Sequence, residues 1–180
     1  PGPRARRSAG MTELAWFLPA LAGVLLVRIF MLVFTRVLGH SMKPTLHTGD
    51  WLLVWKLGYR FRQPRRFDVI VCHYPGEHHK RFRWLPKAVV KRVIGLPGET
   101  VEIVPGAVRI NGEALEQDVT PAWLSRPHPP VTLGEDEYYV LGDNRRNSRD
   151  SRSVGPVRRR DITGRAVCIL WPLRRIGKIR

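Results

Sequence analysis

The sequence predicts a mainly β domain behind one N-terminal transmembrane helix, and three observations carry that prediction. An apolar run occupies Leu14 to Thr35 with Arg28 as its sole charge. From Trp51 onward, short stretches rich in Val and Ile are punctuated by Gly and Pro, and no amphipathic helical period of useful length follows Thr35. Asn111-Gly112, set between Val108-Arg109-Ile110 and Glu113-Ala114-Leu115, is a strong type I′ hairpin signal. A chain of 180 residues, 43% hydrophobic and 26% charged, has room for one domain with a real core, which excludes disorder.

Taken in order, residues 1–13 form a basic N-terminus and residues 14–35 the expected anchor. As a helix the anchor would span about 33 Å, enough for a bilayer core. Arg28 costs about 2.5 to 3.5 kcal/mol at a helix centre, but it lies past the midpoint and its long stem can snorkel outward. Arg4, Arg6 and Arg7 precede the run, so the positive-inside rule puts the N-terminus in the cytoplasm and residues 36–180 outside a single-pass cell membrane. A start at Met11 would remove those three arginines from the count. A cleaved leader is disfavoured because the run exceeds the usual apolar core and Arg36-Val37-Leu38-Gly39-His40 offers no small-x-small site.

The predicted strands are Trp51 to Leu57, Phe67 to Tyr74, Lys87 to Ile94, Glu99 to Val104, Glu137 to Leu141 and Thr163 to Trp171, with a surface loop at Pro121 to Pro130. Trp51, Trp55, Tyr59 and Phe61, interleaved with Lys56, Arg60 and Arg62, suit core packing, a membrane interface or base stacking, and Trp171 beside Arg174, Arg175, Lys178 and Arg180 suits the last two as well. The net charge of +16, carried by 31 basic against 15 acidic residues, points to an anionic partner or to a general arginine bias. Cys72 and Cys168 stand far apart in apolar runs, without Cys-x-x-Cys or zinc spacing, and read as two buried thiols or one long-range disulfide. His78-His79 lacks the i, i+4 spacing of a helical metal pair, so neither metal nor cofactor is expected.

A serine hydroxyl is a poor nucleophile unless a base takes its proton, and that base is a His or a Lys kept neutral. His40 adjoins Ser41, where side chains diverge, and no acidic residue is spaced to orient it. Lys91 is the better base: in Ala88-Val89-Val90-Lys91-Arg92-Val93-Ile94, alternation sets it on the face of Val89 and Val93, where burial disfavours its charge. Arginine stays protonated and could not serve. On spacing alone an ordinary lysine reaching solvent competes with this reading.

Three stretches decide between them. The Ser41-Met42-x-Pro44-Thr45-Leu46, Lys91-Arg92-x-x-Gly95-x-Pro97-Gly98 and Gly142-Asp143-Asn144-Arg145-x-Asn147-Ser148-x-Asp150-Ser151-Arg152 runs resemble, in order and spacing, the three signature boxes of type I signal peptidases. That resemblance implies a signal-peptidase-like β-barrel or sheet catalytic domain, held outside the membrane, that removes N-terminal signal peptides from exported preproteins after an Ala-x-Ala-like motif. It implies Ser41 as nucleophile, Lys91 as general base and later acid, and Ser148 as the residue orienting Lys91. Asp150 and Arg152 would be a supporting ion pair, Gly142, Asp143 and Asn144 the turn that shapes the site, and Met42, Leu46 and Val90 the lining of small apolar substrate pockets. Some members of that family carry a serine two residues before the nucleophile as an oxyanion donor; Gly39 stands there in this chain, leaving the oxyanion hole to backbone N–H groups, that of Ser41 first, with no second donor assigned. Signal-peptide-bearing preproteins and membrane lipid are the expected partners and nucleic acid is not, while oligomeric state and the choice between general and single-client peptidase stay open. A self-cleaving repressor-type serine-lysine protease would carry a DNA-binding N-terminal domain where this chain has an apolar run, and a basic nucleic-acid-binding barrel leaves the serine and lysine boxes unexplained.

Overall fold

A computed structural model describes residues 16, 19–26, 32–78, 86–115 and 127–179. Its strands are β1 (Leu32–Arg36), β2 (Trp51–Trp55), β3 (Val69–His78), β4 (Pro86–Gly95), β5 (Thr100–Val104), β6 (Ala107–Ile110), β7 (Glu113–Ala114), β8 (His128–Thr132), β9 (Glu137–Leu141), β10 (Val157–Arg158), β11 (Ile162–Trp171) and β12 (Gly177–Lys178). Two antiparallel sheets result. One runs β1-β2-β11-β3-β4-β9-β10 with β12 on β11, and the other runs β7-β6-β5-β8. The six predicted strands are present within a few residues at their ends, and the fold is mainly β as expected. The barrel form is not what the structure shows, because β1 and the two-residue β10 end an open path and no pairing joins them.

Alternation builds the core. In β2, Leu52 and Val54 turn inward while Trp51 and Trp55 stay exposed. Strand β4 faces two clusters at once: Val93 packs with Ile70, Cys72 and Val140, and Val90 packs against Leu52, Val54 and Val71 on the other face. The 5/6 hairpin closes through Ala107, and Asn111 (φ +52°) with Gly112 (φ +87°) adopts the left-handed pair that the next turn requires, so Arg109 pairs Ala114 across it. Gly95 is needed for close approach, since a Cβ there would meet Leu133 Cδ1 at 2.8 Å and Tyr139 Cβ at 3.0 Å.

Several expectations change. Leu32 to Thr35, predicted as the end of the anchor helix, belong to β1, which pairs with β2 along its whole length from Leu32 opposite Trp55 to Arg36 opposite Trp51. Residues 19–26 are helical. Among the described residues no helix is long and apolar enough to cross a membrane. Apart from Trp16, the rest of the predicted anchor, Arg28 included, lies outside the described residues, as do residues 1–13 and His79. His128 to Pro130, at the end of the predicted Pro-rich loop, form the start of β8, because prolines are tolerated on an edge strand and β8 is an edge. Tyr59 is buried, donating its hydroxyl to Asp68 Oδ2 at 2.8 Å, whereas Phe61 is exposed. Cys72 and Cys168 are both free thiols.

Candidate active site

Ser41 lies in a tight coil between β1 and β2. The Lys43 N–H donates to His40 O at 3.2 Å and the Leu46 N–H to Met42 O at 2.8 Å, so residues 40–46 turn back on themselves. Gly39 enters that coil at φ +95°, a conformation that L side chains rarely adopt. Met42 and Leu46 are 1% and 0% exposed and anchor the coil in the core, leaving Ser41 half-buried above them. Val90 packs against the same cluster, so the three residues expected to line a substrate pocket do come together, with Val90 the more accessible.

Lys91 sits mid-strand in β4 opposite Ile70 of β3 and is 3% exposed. Its Nζ donates to Ser41 Oγ at 2.8 Å. Burial pushes the Lys91 ammonium below the ordinary lysine value, and the Asp150 carboxylate pulls it partly back up. The Cys72 thiol nearby is pushed up to about 12 by its own burial, so it is uncharged near neutrality.

The turn after β9 supplies the third side of the site. Asn144 donates its backbone N–H to Ser41 O at 3.0 Å and its side-chain Nδ2 to His40 O at 3.1 Å. Gly142 makes this approach feasible, since a Cβ there would stand 2.5 Å from Ser41 O and 2.6 Å from Ser148 Cβ. Asp150 caps the short helix Ser151–Val154, accepts the Gly142 N–H at 3.0 Å, and holds Arg152 through two bonds of 2.7 Å each. Burial alone would raise the Asp150 carboxyl; Arg152, the Gly142 N–H and the Ser148 hydroxyl dipole outweigh it and hold the group below the usual carboxylate range. Ser148 Oγ is buried without a well-formed hydrogen bond, to Lys91 or to any other group.

Sequence reasoning missed the buried network beside Lys91. Arg92, next to Lys91 but on the opposite face of β4, forms a bidentate pair with Asp143, Nε to Oδ1 at 2.8 Å and Nη2 to Oδ2 at 2.7 Å, both side chains 1% exposed. Thr45 Oγ1 donates to Asp143 Oδ2 at 2.5 Å, and Arg92 Nη1 donates to Phe67 O at 2.9 Å. The signal was present: an invariant requirement of a buried charge is a partner, and Arg92 and Asp143 stand in adjacent boxes. His40, by contrast, enters the network only through its carbonyl.

A hydroxyl held 2.8 Å from a buried amine beside a turn packed with backbone donors can carry acyl transfer. The family profile described as signal peptidase, peptidase S26 matches residues 11–171. The chain belongs to the signal peptidase S26 family. Its relatives include the signal peptidase I of Leptolyngbya laminosa, 42% identical over 153 residues that cover 85% of this chain and 75% of the relative. The signal peptidase I V of Bacillus subtilis strain 168 is 32% identical over 171 residues, covering 86% and 96%. A crystal structure of a signal peptidase I from Enterococcus faecalis V583 superposes with a TM-score of 0.48 at 32% identity, covering 58% of this chain and 97% of the other. All three sequence boxes of this S26 peptidase fall inside the matched range.

Proposed function

We infer that this chain is a serine endopeptidase that removes signal peptides from preproteins with a Ser41–Lys91 dyad. The observation that carries the dyad is the 2.8 Å contact between Ser41 Oγ and a lysine whose burial favours its neutral form. With Lys91 neutral, the Oγ–H donates to Nζ; Nζ takes the proton as Oγ bonds to the scissile carbonyl carbon. The resulting ammonium then protonates the leaving amine, the peptide C–N bond breaks, and an acyl ester on Ser41 remains. Water, deprotonated by Nζ, attacks that ester, and collapse returns the proton to Oγ. The Ser41 N–H is the first oxyanion donor, with the open space around Gly39 admitting the substrate carbonyl. Ser148 is the orienting residue in this reading, its buried unsatisfied hydroxyl available to the amine as Nζ leaves Ser41. Asp150 with Arg152 fixes the turn, Gly142, Asp143 and Asn144 shape it, and of the three apolar residues Val90 is the one accessible to a small side chain before the cut, with Met42 and Leu46 packed in the core beneath it.

Incubation with a preprotein, followed by N-terminal sequencing of the product, tests reaction and specificity together. Cleavage after an Ala-x-Ala-like motif is expected, and scattered cuts or none would remove the reading. In the same assay kcat/KM should rise with pH on an acid limb set by Lys91, at a pH below the ordinary lysine value of about 10.4. Stability follows the same proton. The unfolded chain holds the Lys91 proton up to about pH 10.4 while the folded chain sheds it earlier, so stability rises with pH between those two values and is lower beneath both. An acid limb at the ordinary lysine value would mean that Lys91 is not the base.

The proposed organisation is a cytoplasmic segment at 1–13, an anchor, and an extracytoplasmic peptidase domain. With β1 starting at Leu32, an anchor would be confined to residues 14–31, which as a helix would measure about 27 Å, at the short end of the spanning range. Lipid contact extends onto the outer face of β1, β2 and β11. Arg36, Trp51 and Trp171 align across the three strands, and Leu32, Trp55 and Arg165 align in a second row. The tryptophans are 39 to 53% exposed, and rings flanked by arginines suit a headgroup interface. Replacing Trp51 and Trp171 by Ala should weaken sedimentation of the detergent-free domain with anionic vesicles about tenfold; unchanged binding would place the lipid contact elsewhere.

A further inference from the structure

We propose that Arg175, beyond the residues matched by the family profile, is a positioning residue that holds the coil bearing Ser41; the inference rests on Ser41 being the nucleophile. The Arg175 side chain reaches across from the turn after β11. Its Nε donates to Asp50 Oδ1 at 3.2 Å and its Nη2 to Asp50 Oδ2 at 3.2 Å, while Nη2 also donates to the backbone carbonyl of Thr45 at 3.1 Å. Asp50 is 2% exposed and closes the far end of the coil: its Oδ2 accepts the His47 N–H at 2.8 Å, and its carbonyl accepts the Val37 N–H at 2.8 Å. Thr45 is thereby held from two sides, its hydroxyl by Asp143 and its carbonyl by Arg175.

The link to chemistry is short. Thr45 is four residues from Ser41 in a coil closed by the Lys43–His40 and Leu46–Met42 bonds, so a displacement of Thr45 moves Ser41 Oγ relative to Lys91 Nζ. A fork is required for both tasks, because one guanidinium can meet the carboxylate and the carbonyl together and an ammonium cannot present that planar pair. Arg175 is itself fixed: its N–H donates to Pro172 O at 2.8 Å, and Gly177 pairs Ile169 just beyond it. No atom of Arg175 bonds to Ser41 or Lys91, so its effect passes through the coil.

Arg175→Ala and Arg175→Lys are compared with wild type in the full chain in detergent, by preprotein cleavage per folded molecule and by thermal melting. Arg175→Lys keeps a cation beside Asp50 and loses the fork to Thr45. It should melt close to wild type with kcat down about 10- to 100-fold and KM within about twofold, as expected for a displaced nucleophile. Arg175→Ala should lose at least as much kcat and melt lower. In both, the acid limb of the pH profile should stay where it is, since the burial of Lys91 and the Asp150 carboxylate beside it are untouched even when Ser41 moves. Wild-type kcat in Arg175→Lys, a loss confined to KM, or a shifted acid limb would each overturn the proposal. Ser41→Ala run alongside separates the two readings: retained activity there overturns the nucleophile assignment and the Arg175 inference with it, whereas an inactive Ser41→Ala beside wild-type kcat in Arg175→Lys overturns the role of Arg175 alone.

Discussion

Ser41→Ala and Lys91→Arg are each expected to lower preprotein cleavage by about four orders of magnitude or more, to the level left by binding alone. The two substitutions fail for different reasons. Alanine removes the attacking oxygen. Arginine keeps a cation on β4 but cannot give up its proton, so Ser41 Oγ, now 2.8 Å from a base, would face a permanent donor. Because the two residues act on one proton, the double variant should be no worse than either single one, and that non-additivity is the sharper measurement. Cleavage by either variant within tenfold of wild type, in protein shown to be folded, would sink the dyad. Burying Arg in place of Lys91 also costs stability, so Lys91→Met, which carries neither charge nor base, is the companion variant. It should be inactive yet more stable near neutrality by about 1 to 2 kcal/mol, since the wild-type amine is either deprotonated or charged in an apolar setting at a cost.

The second large effect is on folding. Arg92→Ala or Asp143→Ala should each destabilise the domain by about 3 to 5 kcal/mol in urea denaturation, because either leaves a fully buried charge without its partner. The paired variant Arg92→Met with Asp143→Leu should recover part of that loss, as it removes both charges together. It should not recover activity. Asp143 also accepts the Thr45 hydroxyl, and that bond ties the Ser41 coil to the turn that carries Asn144. Single variants costing less than about 1 kcal/mol would show that the pair is solvated in solution and that the three boxes are not locked through it.

Much of this molecule is legible in the chain because much of it is periodic. Leu52 and Val54 alternate with Trp51 and Trp55, and the strand that results buries the aliphatic pair and exposes the rings. Asn111-Gly112 announces its turn through φ alone. Strand β1 was hidden for the opposite reason: Leu32-Val33-Phe34-Thr35 is as apolar as the run before it, and only pairing with β2 makes it a strand. Strand β8 was hidden by its prolines, which read as a loop until an edge position accommodates them. At the site, the boxes pointed to Asp150 with Arg152, two residues apart, and that pair is formed. Arg92 with Asp143 and Arg175 with Asp50 escaped, since no local pattern couples residues 51 and 125 positions apart.

By itself the sequence determined the mainly β character, the hairpin, the family, and which serine and which lysine to consider, because these follow from side-chain period, turn chemistry and short motifs. Tertiary structure alone decided that the two meet. Ser41 and Lys91 are 50 residues apart, and their contact depends on the register that sets Lys91 opposite Ile70 and on the turn that pins Ser41 O to Asn144. A slip of one residue in β4 would send Lys91 to the face of Arg92 and leave an exposed hydroxyl with no base, since strand side chains change face at every step.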